Sequence, residues 1–177
     1  PALHASSFEL IVPVLQRVRR ELGEGVELVC GGPAFKPERL GLEGLLESRP
    51  TLTSREAAAL YLDCDVALGL AFTPHPTQAV VDALASGVAL VLNDNAAHRW
   101  LLEPERNSLV ADPTPTALSE QVLRALRDPT LRARLSAEGR ARAGRTSWAQ
   151  AADRLHTYLR ERGQAARARP AGEDRLP

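Results

Sequence analysis

A chain of 177 residues, 44% apolar and 25% charged, has the size and make-up of one ordinary globular domain with a single sizeable core. Its 22 basic and 22 acidic residues cancel, which removes any global drive toward nucleic acid or an acidic partner. Two cysteines, Cys30 and Cys64, are too few for a disulfide framework or a zinc set and fit a reducing cytoplasm.

Apolar residues recur at helical spacing through Phe8, Ile11, Val12, Leu15 and Val18, which predicts a helix over 6–22 with a bend at Pro13. A short strand follows over 26–30, ended by Gly31, Gly32 and Pro33. After a loop and a weak strand near 45–48, Thr53 and Glu56 stand at capping-box spacing and open a helix that turns Ala57, Leu60 and Tyr61 inward. Residues 66–72 are apolar without alternation, the pattern of a strand covered on both faces. Thr73, Pro74, His75 and Pro76 break that run. A short helix over 78–86 comes next, closed by Gly87, and a second buried strand covers 88–92.

Asn93, Asp94 and Asn95 then cap a helix expected over 96–103, and 108–111 make a last strand. Beyond Asp112 the pattern is helical, with stripes through Leu118, Val122 and Leu126, through Leu131 and Leu135, and through Trp148, Ala152, Leu155 and Leu159. Ser147 and Gln150 form a second capping box, and 164–177, polar and aperiodic, reads as disordered. Buried strands alternating with helices imply an α/β fold, a parallel sheet with helices on both faces, here with a helical C-terminal extension.

Charge is not evenly spread, because residues 124–169 hold twelve arginines against four acids. That region either meets anionic lipid or a phosphate-bearing substrate, as a peripheral membrane contact would require, or is a solvated helix face. No basic segment followed by a long apolar one opens the chain, and the longest apolar stretch, 79–92, is too short to cross a bilayer. The chain has no methionine and starts at Pro1, as expected of a piece of a longer protein.

In open α/β sheets, ligands bind at the carboxyl ends of the strands, so the loops after the apolar strands are the ones to inspect. Gly31 and Gly32 would let a phosphate approach the backbone, or simply mark a turn; Lys36, the only lysine, lies just beyond. The loop 73–79 leads into a helix whose first free amides, at Thr77, Gln78 and Ala79, suit a pyrophosphate without any cationic side chain. One turn further on, Asp82 either accepts both hydroxyls of a ribose or faces solvent. His75 is placed to bond a phosphate or sugar hydroxyl, or to order the turn. The polar loop 93–95 reads equally as a binding loop and as a helix cap. Metal-ligand spacing, a Ser/His/Asp triad, a Walker loop and a GxGxxG fingerprint are all missing, so neither a metal nor a cofactor is expected.

The stretch 61–87, with its Pro-His-Pro-Thr loop followed by a helix ending in Ala85-Ser86-Gly87, resembles the C-terminal donor-binding domain of GT-B glycosyltransferases of family 4. It is most similar to the WsaF-type rhamnosyltransferases, and the similarity runs from about Ser7 to Leu159, through 88–93, the 107–115 segment and the helix after Ser147. The resemblance implies a Rossmann-like domain over 1–163, lacking its first strand and an N-terminal acceptor domain. It implies a nucleoside-diphosphate sugar such as dTDP-L-rhamnose as donor, a growing surface glycan as acceptor, and work at the inner face of the membrane.

The family's ribose-binding glutamate falls on Asp82, its loop histidine on His75, and its helix-start amides on Thr77, Gln78 and Ala79; Gly32 joins them as a donor-binding candidate from the Gly-Gly turn alone. Three departures stand out. Asp82 is one methylene shorter than glutamate, Gln78 and Ala79 replace an aromatic residue and a proline, and Pro74 stands where the wider family has another glutamate. These departures keep a second expectation alive, a non-catalytic module that binds a glycan or a partner protein. A third, a flavodoxin-like regulatory domain, leaves the long helical region after Asp112 without a role.

Overall fold

The computed structural model describes residues 8–32, 35–145 and 147–168. It divides into two compact units, residues 1–143 and 144–177. In the first, helix α1 (Phe8–Leu22) buries Phe8, Ile11, Val14 and Val18, one stripe at the expected spacing, with Pro13 inside the helix.

Strand β1 (Val29–Gly32) starts three residues later than expected and takes both glycines into the sheet. A parallel register with β2 (Glu47–Pro50) sets this shift, pairing Val29 with Glu47 and Gly32 with Pro50. Gly31 also packs closely: a Cβ there would lie 2.6 Å from Leu52 Cδ1, so the leucine side chain would have to shift. Helix α2 (Ser54–Asp63) opens with the expected capping box, in which Thr53 Oγ1 accepts the Glu56 amide at 3.3 Å and the Glu56 carboxylate accepts the Thr53 amide at 2.7 Å.

Strand β3 (Val66–Gly69) ends three residues short of the expected 66–72 and is half-buried rather than buried, whereas helix α3 (Gln78–Ser86) and strand β4 (Ala89–Asn93) lie within a residue of expectation, Gly87 ending α3 in the left-handed region at φ +77°. The helix expected over 96–103 is only a 3₁₀ turn, Ala96–His98. Asn107 accounts for the difference. Its buried side chain accepts the Glu103 amide at 2.8 Å and donates to the Leu101 carbonyl at 3.1 Å, taking up groups that a longer helix would have paired along its axis. Strand β5 (Leu109–Ala111) lies parallel to β4, giving a three-stranded order β3-β4-β5, and helices α4 (Pro115–Arg127) and α5 (Pro129–Ala143) complete the unit.

All five residues of β4 are buried and serve two cores. Ala89 and Val91 join Val14, Val18, Leu118 and Leu135 on one face, while Leu90 and Leu92 join Val80, Leu84 and Leu101 on the other. This is the two-sided cover that an unalternated apolar strand requires. Part of the arginine surplus is matched within the unit. Arg124 grips Glu105 with two bonds of 2.7 Å, Arg127 meets Glu21 at 2.6 Å and Arg132 meets Asp65 at 3.3 Å, each acid coming from outside the basic region. Exposed pairs of this kind add up to about 1 kcal/mol each, so they neutralise the face more than they hold it together.

In the second unit, helix α6 (Trp148–Ala168) is opened by Ser147 Oγ accepting the Gln150 amide at 3.2 Å, while Gln150 Oε1 accepts the Ser147 amide at 3.3 Å. The helix continues five residues beyond the expected domain end at 163; the remainder of the segment expected to be disordered, 169–177, lies outside the described residues. Among the described residues no helix is long and apolar enough to cross a membrane.

Leu84 is fully buried between α3 and α5, where a Cβ on Gly139 would come within 3.1 Å of its Cδ2. With so little room for the site to collapse, Leu84→Ala should destabilise by about 2–5 kcal/mol. A thermal melt should record a drop of roughly 5–15 °C.

Candidate functional site

Parallel pairing sends the chain out of β3 and β4 at the same end of the sheet, so the 70–77 loop and the 93–95 loop are neighbours. Asn93, 2% exposed, ties them together: its side-chain oxygen accepts the Ala71 amide at 2.9 Å and its NH₂ donates to the Ala71 carbonyl at 3.0 Å. Asn95 adds bonds to the carbonyls of Ala71 at 2.9 Å and Thr73 at 3.0 Å, while its oxygen caps the following 3₁₀ turn through the Ala97 amide at 2.8 Å. The polar loop is thus both cap and scaffold.

His98, at the end of that turn, is fully buried and reaches the start of α3. Its Nε2 accepts the Thr77 amide at 3.0 Å and lies 3.2 Å from the Thr77 hydroxyl. An accepting Nε2 places the ring proton on Nδ1, which is buried without a partner among the described residues. Burial pushes the His98 pKa below its ordinary value, so the ring is neutral at pH 7. One expectation changes as a result. The Thr77 amide is occupied by His98 rather than open to a ligand, whereas the amides of Gln78 and Ala79 have no partner among the described residues.

Asp82 is half-buried one turn along α3, and Gln78 Nε2 donates to its carboxylate at 2.7 Å. The Tyr61 hydroxyl shares this neighbourhood: burial raises its pKa, and the Asp82 charge adds to the effect. Asp82, Ala79 and Gly32 line one groove of about 1100 Å³ that opens between β1 and β3. A smaller cavity of about 300 Å³, lined by Gly69, Ala71, Thr73, Thr77 and Ala79, adjoins it behind the loop.

The structure therefore brings Gly32, Ala79 and Asp82 to one groove, with Thr77 on the adjoining cavity. Gln78 belongs to the site through its bond to Asp82. His75 lies apart: it is exposed, lines neither cavity, and bonds only through its carbonyl, which accepts the Thr73 hydroxyl at 3.1 Å. Lys36 is likewise exposed and lines neither. Among the described residues no group of three His, Cys, Asp or Glu is placed to hold a metal. Sequence reasoning missed Tyr61, assigned to the core, and His98, whose contact with Thr77 spans 21 positions and leaves no local signal.

Residues 1–123 match the family described as the WsaF C-terminal domain. The chain belongs to that family. Over 163 residues it is 37% identical to the O-antigen biosynthesis protein RfbC of Myxococcus xanthus, a match covering 92% of this chain and 13% of that protein. Its fold is that of GT-B C-terminal domains. It matches Anabaena HepE, solved with UDP and glucose, with a TM-score of 0.72 at 18% identity, covering 88% of this chain and 44% of that one. The C-terminal domain of the glycosyl transferase group 1 family protein LpcC from Francisella tularensis matches with a TM-score of 0.70 at 13% identity, covering 81% and 80%. This WsaF-family chain thus spans a small part of its RfbC relative, and less than half of HepE.

A neutral buried His98 makes a signed prediction for the WsaF-family domain. With its folded pKa below the unfolded value of about 6.5, its contribution is fully present above that pH and is lost progressively as the pH falls below it. His98→Gln keeps an acceptor for the Thr77 amide but cannot take a proton. Melts at pH 7.5 and 5.5 should therefore show a smaller acid-side drop in the variant than in the parent. Equal drops would mean that His98 is not held neutral.

Proposed function

We propose that this domain is the donor-binding half of a glycosyltransferase and holds a nucleoside-diphosphate sugar at the groove formed by Gly32, Ala79 and Asp82, for transfer to a cell-surface polysaccharide. Support comes chiefly from one juxtaposition: Ala79, whose amide has no partner among the described residues, and Asp82 one turn later line the same groove. Amides at a helix start offer hydrogen bonds and the positive end of the helix dipole to a diphosphate. A carboxylate beside them suits the paired hydroxyls of a ribose.

In this reading Asp82 holds the ribose and Gln78 steadies the carboxylate. The Gln78 and Ala79 amides take the diphosphate, and His98 fixes the turn by occupying the Thr77 amide. Fixed donors aimed at the diphosphate stabilise the charge that develops as the sugar departs, without reorganising at that moment. His75, exposed on the loop, reaches a phosphate or sugar hydroxyl from the outer edge. The WsaF family favours a rhamnosyl donor, dTDP-L-rhamnose, and the RfbC relative favours an O-antigen-like acceptor carried to the site by a separate N-terminal domain. A working place at the inner face of the membrane follows from such an acceptor.

A second reading, a glycan- or protein-binding module without transfer, has a specific observation behind it. Asp82 is already bonded to Gln78, and Thr77 to His98, so two of the expected contacts are satisfied internally.

Melting the protein with dTDP, UDP and GDP separates the two readings. A nucleotide at one hundred times its dissociation constant adds about 2.7 kcal/mol, a rise of roughly 5–10 °C. Asp82→Ala removes a charged acceptor and should weaken that nucleotide about tenfold to a hundredfold. A rise with one base that Asp82→Ala lowers supports the donor site; no rise with any base, in the full-length protein, would sink it in favour of the binding module.

A further inference from the structure

Building on the donor reading above, we propose that Tyr61 is a second anchor for the pentose of the bound nucleotide. Its hydroxyl donates to the pentose 3′-hydroxyl, whose own proton goes to Asp82.

Helix α2 carries Tyr61 in its last turn and packs alongside α3, the helix of Asp82. The half-buried ring packs against the core cluster that includes Val80, Leu84, Leu90 and Leu92. Phenylalanine would serve that packing equally well, so the hydroxyl is what packing leaves unexplained. It has no hydrogen-bond partner among the described residues, although a tyrosine hydroxyl drawn into a core usually finds one. Tyr61 and Ala79 line both the groove and the adjoining cavity, and Asp82 lines the groove beside them.

A separate sign places the hydroxyl, and not only the ring, near the carboxylate. The titrating proton of a tyrosine sits on its phenol oxygen, and the Asp82 charge adds to burial in holding that proton in place. The two groups do not bond directly. Asp82 Oδ1 accepts from Gln78 Nε2 at 2.7 Å, and Oδ2 has no partner among the described residues. A donor and an acceptor held close together without a bond between them suit a guest hydroxyl, which accepts through its oxygen and donates its proton. The raised pKa keeps the phenol protonated at neutral pH, and so a donor.

The position along α3 names the guest. The Gln78 and Ala79 amides that meet the diphosphate in the donor reading lie one turn before Asp82, so the hydroxyl at Asp82 belongs to the sugar attached there on the nucleoside side. Ribose and 2′-deoxyribose both carry the 3′-hydroxyl, and the arrangement holds for either. In a 2′-deoxynucleotide it is the one hydroxyl the pentose has free. The bond from Tyr61 then takes the place of the one that a 2′-hydroxyl would add.

Calorimetric titration of the full-length protein with dTDP, UDP and GDP identifies the nucleotide that binds, which is then compared with its 3′-deoxy analogue. Tyr61→Phe keeps the packed ring and deletes the hydroxyl alone. One lost hydrogen bond should weaken the nucleotide about threefold to tenfold in the variant. The 3′-deoxy analogue should bind the parent and Tyr61→Phe alike, because the group that Tyr61 reads is gone from the ligand. This second comparison separates a ligand contact from a structural effect, which would weaken both ligands by the same factor. A uniform loss therefore overturns the proposal, and so does an unchanged affinity of Tyr61→Phe for the 3′-hydroxylated nucleotide. In both cases the donor site itself still stands, since the parent binds. If none of the three nucleotides binds the parent, the donor reading and the role of Tyr61 fall together.

Discussion

The candidate site depends on a single side chain. Asn93 closes β4 and matches both backbone groups of Ala71, so the chain leaving β3 is held against the chain leaving β4 as though the ladder ran one residue further. Without it, two strands of a parallel sheet end beside each other with unpaired groups in a buried place, at about 1–3 kcal/mol for each orphaned partner. With it, the 70–77 loop has a fixed origin. The bonds from Asn95 to Thr73 and from His98 to Thr77 then set its course to the start of α3. Three polar side chains within six residues of one another thus place the first amides of a helix that lies earlier in the chain.

The helix α3 and its Gly87 stop, the capping box at Thr53 and the two-sided burial of β4 were legible in the sequence, because each is set by residues a few positions apart. The boundaries of β1 and β2 were not, and the reason is specific. Parallel partners choose their register by what packs across them, and here Leu52 packs close against Gly31. A Gly-Gly pair reads locally as punctuation, while its use in a strand is visible only from the far side of the contact. The shortened turn after Asn95 failed for a related cause: Asn107 takes up the Leu101 carbonyl and the Glu103 amide through its side chain, and a side chain reaching back across a loop leaves no periodic trace. The site divides in the same way. Helix phase places the start of α3 but leaves Asp82 open between groove and solvent, and Tyr61 and His98 enter only through tertiary packing.

Half-burial of the same groove explains why the site residues satisfy one another. The half-buried Asp82 carboxylate accepts a bond from Gln78, one turn before it on the same helix. Internal bonds of this sort cost little to exchange, since an exposed Gln–Asp contact one turn apart contributes only a few tenths of a kcal/mol. The His98 contact is of another kind. It lies in full burial, its proton has no partner among the described residues, and replacing it would leave the Thr77 amide without the His98 acceptor. Ligand binding can therefore displace Gln78 from Asp82 but has no comparable means of freeing Thr77. On the proposed donor reading, the helix start would offer a diphosphate two amides rather than three, because His98 holds the third.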